Sequence, residues 1–343
     1  MDATIIQQLI LHKVGNKNNE EGVLLSNAPI VIDESMMDVL LDYFLLSFKS
    51  EEHFNFYHED GLEHNEIYRI ASEVFEDNER LFEHSTALAQ HLYDSSTHPK
   101  IKGGAFYIVY FKNYFINNQA TDAIGLFKTE NQDIFLKTLF SEDNFAIQME
   151  QGTNVHKLDK GCLILNIEKE KGYIISVVDN ISKGGEAQYW TDNFLSLCQR
   201  QDEYYNTQNI LALTKDFITK ELPQQYEVSK ADQADLLNKS VNFFKGNDSF
   251  NMENFTNEVI QEPDVINNFT NFMSNYQQEH DWDIADNFAI SDSAVKKQAR
   301  VFKSVIKLDK NFHIYVHGNR ELIEQGVDET GRKYYKIFYK EET

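Results

Sequence analysis

Proline, cysteine and glycine are scarce in this chain: 343 residues hold four Pro, two Cys and fifteen Gly. So little Pro and Gly excludes a low-complexity or linker-rich protein. Cys162 and Cys198 make no metal-ligand spacing and read as reduced, buried thiols of a cytoplasmic protein. Long apolar runs are missing too. The richest, Val39 to Phe48, is broken by Asp42 and has helical periodicity, far from the ~20 apolar residues that span a bilayer. Met1 to Val14 carries an early Asp2 without a basic n-region or a small-residue cleavage site, so it reads as a first strand and not a signal peptide. The expectation is a protein neither secreted nor membrane-spanning.

Positive charge is the remaining shortage. Thirty-two Lys and Arg face 55 Asp and Glu, a net charge of −23. What is present is core material: 41 % hydrophobic residues, with 25 Phe and 17 Tyr, which excludes global disorder despite the charge. The charge is unevenly placed. Lys296 to Thr343 holds eleven Lys or Arg against seven Asp or Glu, whereas the other 295 residues hold 21 against 48. A segment of net +4 is thus joined to a body of −27, which suggests a polyanion contact at the positive end or a partner-binding role for the acidic remainder.

The length favours two domains, and periodicity places their boundary near residue 200, giving 1–200 and 201–343. Ile5 to Lys13 and Gly22 to Ile32 read as strands. Asp33 or Ser35 caps a helix to about Phe48, and helical patterns cover Glu66 to Phe75 and Asn78 to Tyr93. Short β-branched or aromatic runs follow at Ala105 to Phe111, Tyr114 to Asn117, Ala123 to Lys128, Cys162 to Glu168 and Tyr173 to Asp179. Consecutive strands with short connections predict an antiparallel sheet with segregated helices, an α+β class. Beyond Gly184-Gly185 the period becomes helical. Ile210, Leu213 and Phe217 mark one helix. Ala234, Leu237, Val241 and Phe244 mark another, with Ser229 and Asp232 as a capping box, and Pro263 opens a third. The chain is expected to end in a hairpin, Ser304 to Leu308 with Phe312 to His317, and a last strand, Lys333 to Lys340.

No residue spacing encodes a recognisable reaction, so no enzyme and no cofactor is expected. His53, His58 and His64 with Glu59, Asp60 and Glu63 match no metal spacing and read as a solvated loop; His84 and His91 read as an exposed helical pair. Gly103-Gly104 and Gly184-Gly185 extend to no phosphate-binding pattern and read as turn or bulge glycines. The positive segment is more informative. In a helix over Asp292 to Lys303, Val295, Ala299 and Phe302 form an inward stripe, and Lys296, Arg300 and Lys303 repeat that spacing one residue later, with Lys297 widening the flank. Lys307 alternates with Ile306 and Leu308, while Tyr334, Lys336, Phe338 and Lys340 share a strand face. Cations interleaved with aromatics on a helix and ribbon suit phosphate contact, since they displace condensed counterions. The same lysines also serve to protect sheet edges.

The pattern as a whole resembles the bacterial nucleoid-associated protein family of the NdpA/YejK type. The resemblance runs through Ile6-Gln7-Gln8-Leu9-Ile10-Leu11-His12-Lys13, Gly103-Gly104-Ala105-Phe106-Tyr107-Ile108-Val109-Tyr110 and Lys157-Leu158-Asp159. It continues with Tyr189-Trp190-Thr191-Asp192-Asn193-Phe194-Leu195, Leu211-Ala212-Leu213-Thr214-Lys215-Asp216-Phe217 and Val305-Ile306-Lys307-Leu308-Asp309. It implies a cytoplasmic protein found with the chromosome, binding DNA directly or through other nucleoid components, and it carries over no catalytic or DNA-contacting residues. From the residues themselves, the expected DNA contacts are Lys296, Lys297, Arg300, Lys303, Lys307, Arg332, Lys333 and Lys336, to phosphate and without sequence preference. The rival readings are an acidic module that docks on DNA-processing enzymes and regulates them, and a component of defence against foreign DNA. Protein partners in chromosome maintenance and a homodimer stay open; a membrane partner is not expected.

Overall fold

Alternation in the first half of the chain builds one sheet buried on both faces. The computed structural model describes residues 3–116, 119–141, 143–182, 188–280, 282, 284–302, 305–316 and 320–341. These fall into two units, Met1–Arg200 and Gln201–Thr343. In the first unit the order is β1 (Ile5–Val14), β2 (Val23–Leu24), α1 (Glu34–Leu45), β3 (Phe54–Phe56), α2 (Glu66–Glu76), α3 (Leu81–Ser95), β4 (Gly104–Ile116), β5 (Gln119–Thr129), β6 (Asp133–Ser141), β7 (Asn144–Gly152), β8 (Lys160–Leu165), β9 (Ile174–Asp179) and β10 (Leu197–Gln199). Eight of these strands form an antiparallel sheet in the order β10-β3-β9-β8-β5-β4-β1-β2.

Period-two side chains send alternate residues to opposite faces. Phe106, Ile108, Ile124, Leu126, Cys162, Ile164 and Ile175 pack with α2, α3 and the π-helical segment Tyr189–Phe194. Val109, Phe111, Ala123, Phe127, Leu163 and Leu165 pack instead with Tyr43 and Phe44 of α1. The result is three layers, helix on sheet on helices, in an α+β protein. Local caps set the helix starts: Asp33 accepts a hydrogen bond from the Ser35 amide at 2.8 Å, and Asn65 accepts one from the Tyr68 amide at 2.9 Å.

Several expectations need correction. The strand expected over Gly22 to Ile32 shrinks to Val23–Leu24. Pro29 lacks an amide to donate, and the Ser26 amide and hydroxyl are taken by His12 and the Leu11 carbonyl. The stretch read as a polar loop contains β3, which pairs with both β9 and β10. Cys162 is buried, and burial pushes its thiol up, but Cys198 is exposed on the edge strand β10. Gly184-Gly185 lies outside the described residues.

Between β5 and β8, which pair directly, the chain makes an excursion: β6 and β7 form a two-stranded antiparallel ribbon of their own. The sequence reading places no element there. Phe145, Ile147 and Met149 do alternate with Ala146, Gln148 and Glu150, so the period-two signal exists. The large apolar residues of the ribbon remain exposed, from Leu139 at 39 % to Ile147 at 73 %.

The second unit is helical with short ribbons. It runs through α4 (Glu203–Asp216), a π-helical segment (Phe217–Glu221), α5 (Leu222–Gln225), α6 (Lys230–Gly246), β11 (Ser249–Asn251), α7 (Met252–Phe255), a second π-helical segment (Thr256–Ile260), α8 (Pro263–His280), β12 (Asn287–Ala289) and α9 (Asp292–Ala299). Then come β13 (Val305–Leu308) with β14 (Phe312–Tyr315), and β15 (Ile323–Val327) with β16 (Lys333–Ile337). Both halves of the capping box form at α6: the Asp232 amide donates to the Ser229 hydroxyl at 3.1 Å, and the Ser229 amide donates to the Asp232 carboxylate at 3.0 Å. The unit thus ends in two hairpins, because Ile323–Val327 supplies the partner that the last strand needed.

Candidate nucleic-acid interface

The cations of the positive segment sit on three elements that share α6 as a platform. Helix α9 begins at Ser291, whose hydroxyl accepts from the Ala294 amide at 3.3 Å, and buries Ala294 and Val295. Val295 and Phe302 enter the same core as Phe244 and Phe269 of α6 and α8, with Ala299 packed against it. That anchoring turns Lys296, Lys297 and Arg300 outward, all three exposed. Lys297 also lies over the Tyr204 ring, 5.4 Å from its centroid. Positive side chains at this end complement the helix dipole.

The first hairpin carries Lys307, exposed and opposite His313, while its neighbour Ile306 is buried against Ala231 and Ala234 of α6. Ile323 joins that cluster, and Arg320 ties the second ribbon down by donating to Asp232 at 2.5 Å. On that ribbon Arg332, Lys333 and Lys336 are exposed. Two of them meet carboxylates: Arg332 pairs with Asp328 at 2.9 Å, and Lys336 with Glu324 at 3.5 Å while lying 4.6 Å over the Phe338 ring. Hydrogen bonds from Thr330 and the Arg332 amide hold the Asp328 carboxyl below its ordinary range. Lys303 lies outside the described residues, as does His317. Arg320, by contrast, is a structural clamp and Lys310 an exposed turn cation, and the sequence reading singled out neither.

A second positive locus lies in the first unit, and sequence reasoning missed it. Lys128 and Lys160, both buried, approach the Tyr189 ring to 5.3 and 5.1 Å. Lys128 pairs with Glu130 at 3.4 Å, and Tyr189 donates to the same carboxylate at 2.8 Å. Lys160 pairs with Asp179 at 2.6 Å and also donates to Ser182. Burial lowers the Lys128 ammonium and Glu130 opposes it, with burial prevailing. For Asp179 burial works to raise the carboxyl, but the Lys160 and Ser182 hydrogen bonds outweigh it and hold the group below its usual range. A cavity of about 290 Å³ opens here, lined by Lys100, Lys102, Lys160, Glu130 and Tyr189. Each of the two buried ammonium groups at this locus already has its carboxylate.

Beside it lies a larger cleft of about 610 Å³, lined by His12, Lys13, Ser26, Gly103, Gly104, Thr129 and Glu130. Gly104 is required by packing, since a Cβ there would stand 1.9 Å from the Thr129 carbonyl oxygen. His12 is held neutral: its Nδ1 accepts from the Ser26 amide at 3.1 Å, so Nε2 carries the proton toward Ser85 Oγ at 3.0 Å. Burial lowers its pKa below the ordinary 6.5. As pH falls through about 6.5 the unfolded chain takes up this proton first, so stability is lost until the lower folded value is passed, by at most about 1.4 kcal/mol per pH unit. Urea unfolding between pH 7.5 and 5.5 should therefore show a shallower pH slope in His12→Gln than in the parent chain.

The histidines read as a loop cluster are separated in use. His53 Nδ1 lies 3.1 Å from Ser176 Oγ, and His58 and His64 rings sit 5.5 Å apart. His84 and His91 are half-buried, correcting the exposed pair: each meets its own carboxylate, Glu73 at 3.2 Å and Glu66 at 3.3 Å.

These features define a class, an acidic α+β protein of two units that displays its net-positive segment on the second. Over residues 10–332 the chain matches the family described as nucleoid-associated protein YejK, and it belongs to that family. Comparison with curated proteins finds no match. No helix among the described residues is long and apolar enough to cross a membrane.

Proposed function

We propose that this nucleoid-associated protein binds DNA directly, without sequence preference, through phosphate contacts made by Lys296, Lys297, Arg300, Lys303, Lys307, Arg332, Lys333 and Lys336. The observation that carries the reading is the outward display of Lys296, Lys297 and Arg300 on one flank of α9, fixed by the burial of Val295 and Phe302 beneath them. The Arg332 and Lys336 ion pairs are exposed and weak, so a phosphate can displace their carboxylates. Repulsion from the acidic body is screened beyond about 8 Å at physiological salt, which leaves a local contact workable.

Binding to a random-sequence duplex, followed by fluorescence anisotropy from 50 to 300 mM salt, tests this. The logarithmic salt slope should shrink by about 3 in the variant Lys296→Glu/Lys297→Glu/Arg300→Glu, with affinity at least about tenfold weaker at 100 mM. An unchanged slope would count against the assignment. The −27 body supports a second reading, docking on basic DNA-processing enzymes in competition with DNA. Partners recovered after nuclease treatment would favour it, and their disappearance would remove it.

A further inference from the structure

We infer that the β6–β7 ribbon is a dimerisation arm that packs face to face on the same ribbon of a second copy of this chain. The register assigns its two faces. Leu136 stands opposite Met149, Thr138 opposite Ile147 and Phe140 opposite Phe145, so these side chains share one face with Ile134 and Gln151. Six of those eight positions are large apolar residues, and their exposures run from 61 % to 73 %. The reverse face carries all the ionisable groups, Asp133, Lys137 and Glu150, together with the less exposed Phe135 and Leu139, and there Lys137 and Glu150 pair across the strands at 3.3 Å. The ribbon therefore gathers its most exposed large apolar side chains on one face, uncovered among the described residues, and keeps every ionisable group on the other.

Two physical facts require a cover. An isolated two-stranded ribbon is marginal in water and gains stability from packing its apolar face. A contiguous apolar patch of this size on a soluble monomer is uncommon and promotes association. At these exposures the six side chains present roughly 900 Å² of apolar surface, close to the ~800 Å² per partner that a stable interface buries.

The chemistry of the face selects a second copy as the occupant. It holds no ionisable side chain, so a basic partner drawn to the acidic body would find no carboxylate to meet, and DNA would find no cation. An identical face buries no charge. It also matches in shape when reversed end for end. The aromatic tip, Phe140 and Phe145 with centroids 4.9 Å apart, would lie on the aliphatic base of Ile134, Leu136 and Met149, with Thr138 and Ile147 at the crossing. Such a two-fold contact is self-complementary and closes at two copies, which ends association. Two facing ribbons make a four-stranded sandwich.

Because β5 pairs directly with β8, the large sheet does not depend on the ribbon, and changes on its exposed face should leave the fold intact. Sedimentation equilibrium of the full chain at 1–100 μM tests the inference, comparing the parent with Leu136→Glu/Ile147→Glu. The parent is expected at twice its 40.0 kDa mass, about 80 kDa, and the variant at 40.0 kDa with unchanged circular dichroism and a dissociation constant raised at least about 100-fold. A parent that stays monomeric at 100 μM, a variant as dimeric as the parent, or open-ended larger species would each overturn it. So would a monomeric chain whose ribbon is covered by a different protein in a cross-linked complex. The DNA-binding slope described above is read separately, so failure of one leaves the other standing.

Discussion

Changing Glu130 to Gln is expected to lower the unfolding free energy by about 3–5 kcal/mol near neutral pH, because it leaves the Lys128 ammonium buried without its counter-charge. Lys128 is fully buried and Glu130 nearly so, which removes most solvent screening. The neutral amide can still accept from Tyr189, so the loss isolates charge from hydrogen bonding. The deficit should shrink with pH. Burial already lowers the Lys128 pKa, and removing Glu130 takes away the influence that raises it. Between that lowered folded value and the ordinary 10.5, the unfolded chain holds the proton and the folded chain does not, so stability rises as pH rises. Urea unfolding at pH 7 and pH 9.5 measures both effects. The double variant Lys128→Met/Glu130→Gln should recover to within about 1 kcal/mol of the parent, since it removes both buried charges and leaves a neutral amide that still accepts from Tyr189. Equal loss in single and double variants would show that packing, not the ion pair, is at stake.

Phe44→Ala should be as damaging, at about 3–5 kcal/mol. Its ring is fully buried between α1 and the sheet, stacks on Phe127 with centroids 4.4 Å apart, and meets Tyr107 and Phe111 edge-on at 5.5 and 6.4 Å. Removing it opens a cavity under the one helix that covers this face among the described residues, and no neighbouring side chain is free to collapse into it. The thermal midpoint of the first unit is expected to fall by roughly 10 °C. Phe145→Ala, in which a ring 72 % exposed is removed, should cost a monomer less than about 0.5 kcal/mol. A Phe44→Ala protein with the parent's midpoint would remove α1 from the core as described.

Most of the fold could be read from alternation and caps. The β-branched run Cys162 to Glu168 announced β8, which ends at Leu165, and Ser229 with Asp232 announced α6, because both signals act over a few residues. The shortfalls are physical. Phe54–Phe56 is three residues long, too short for a periodic signal, and becomes a strand only because β9 and β10 flank it. Pro29 and the claims of His12 and Leu11 on Ser26 ended β2 early. At the candidate interface, the inward stripe of Val295 and Phe302 was legible, and with it the exposure of Lys296, Lys297 and Arg300. The ion pairs of Arg332 and Lys336 were not, since Glu324 reaches Lys336 only through the pairing of β15 with β16. Lys128 and Lys160 stand at strand ends, where a lysine ordinarily means solvent. Only the convergence of Tyr189, Glu130 and Asp179 makes those positions interior.

The contrast between the two thiols has a practical corollary. Cys162 is sealed inside the sheet and Cys198 is open on its edge strand. A maleimide dye applied to the native chain should therefore attach at one defined place. Partial burial raises the Cys198 thiol, so coupling will run faster in mildly alkaline buffer than at neutrality. Unmodified by mutagenesis, the molecule thus comes with a single attachment point for fluorescence tracking on stretched nucleic acid.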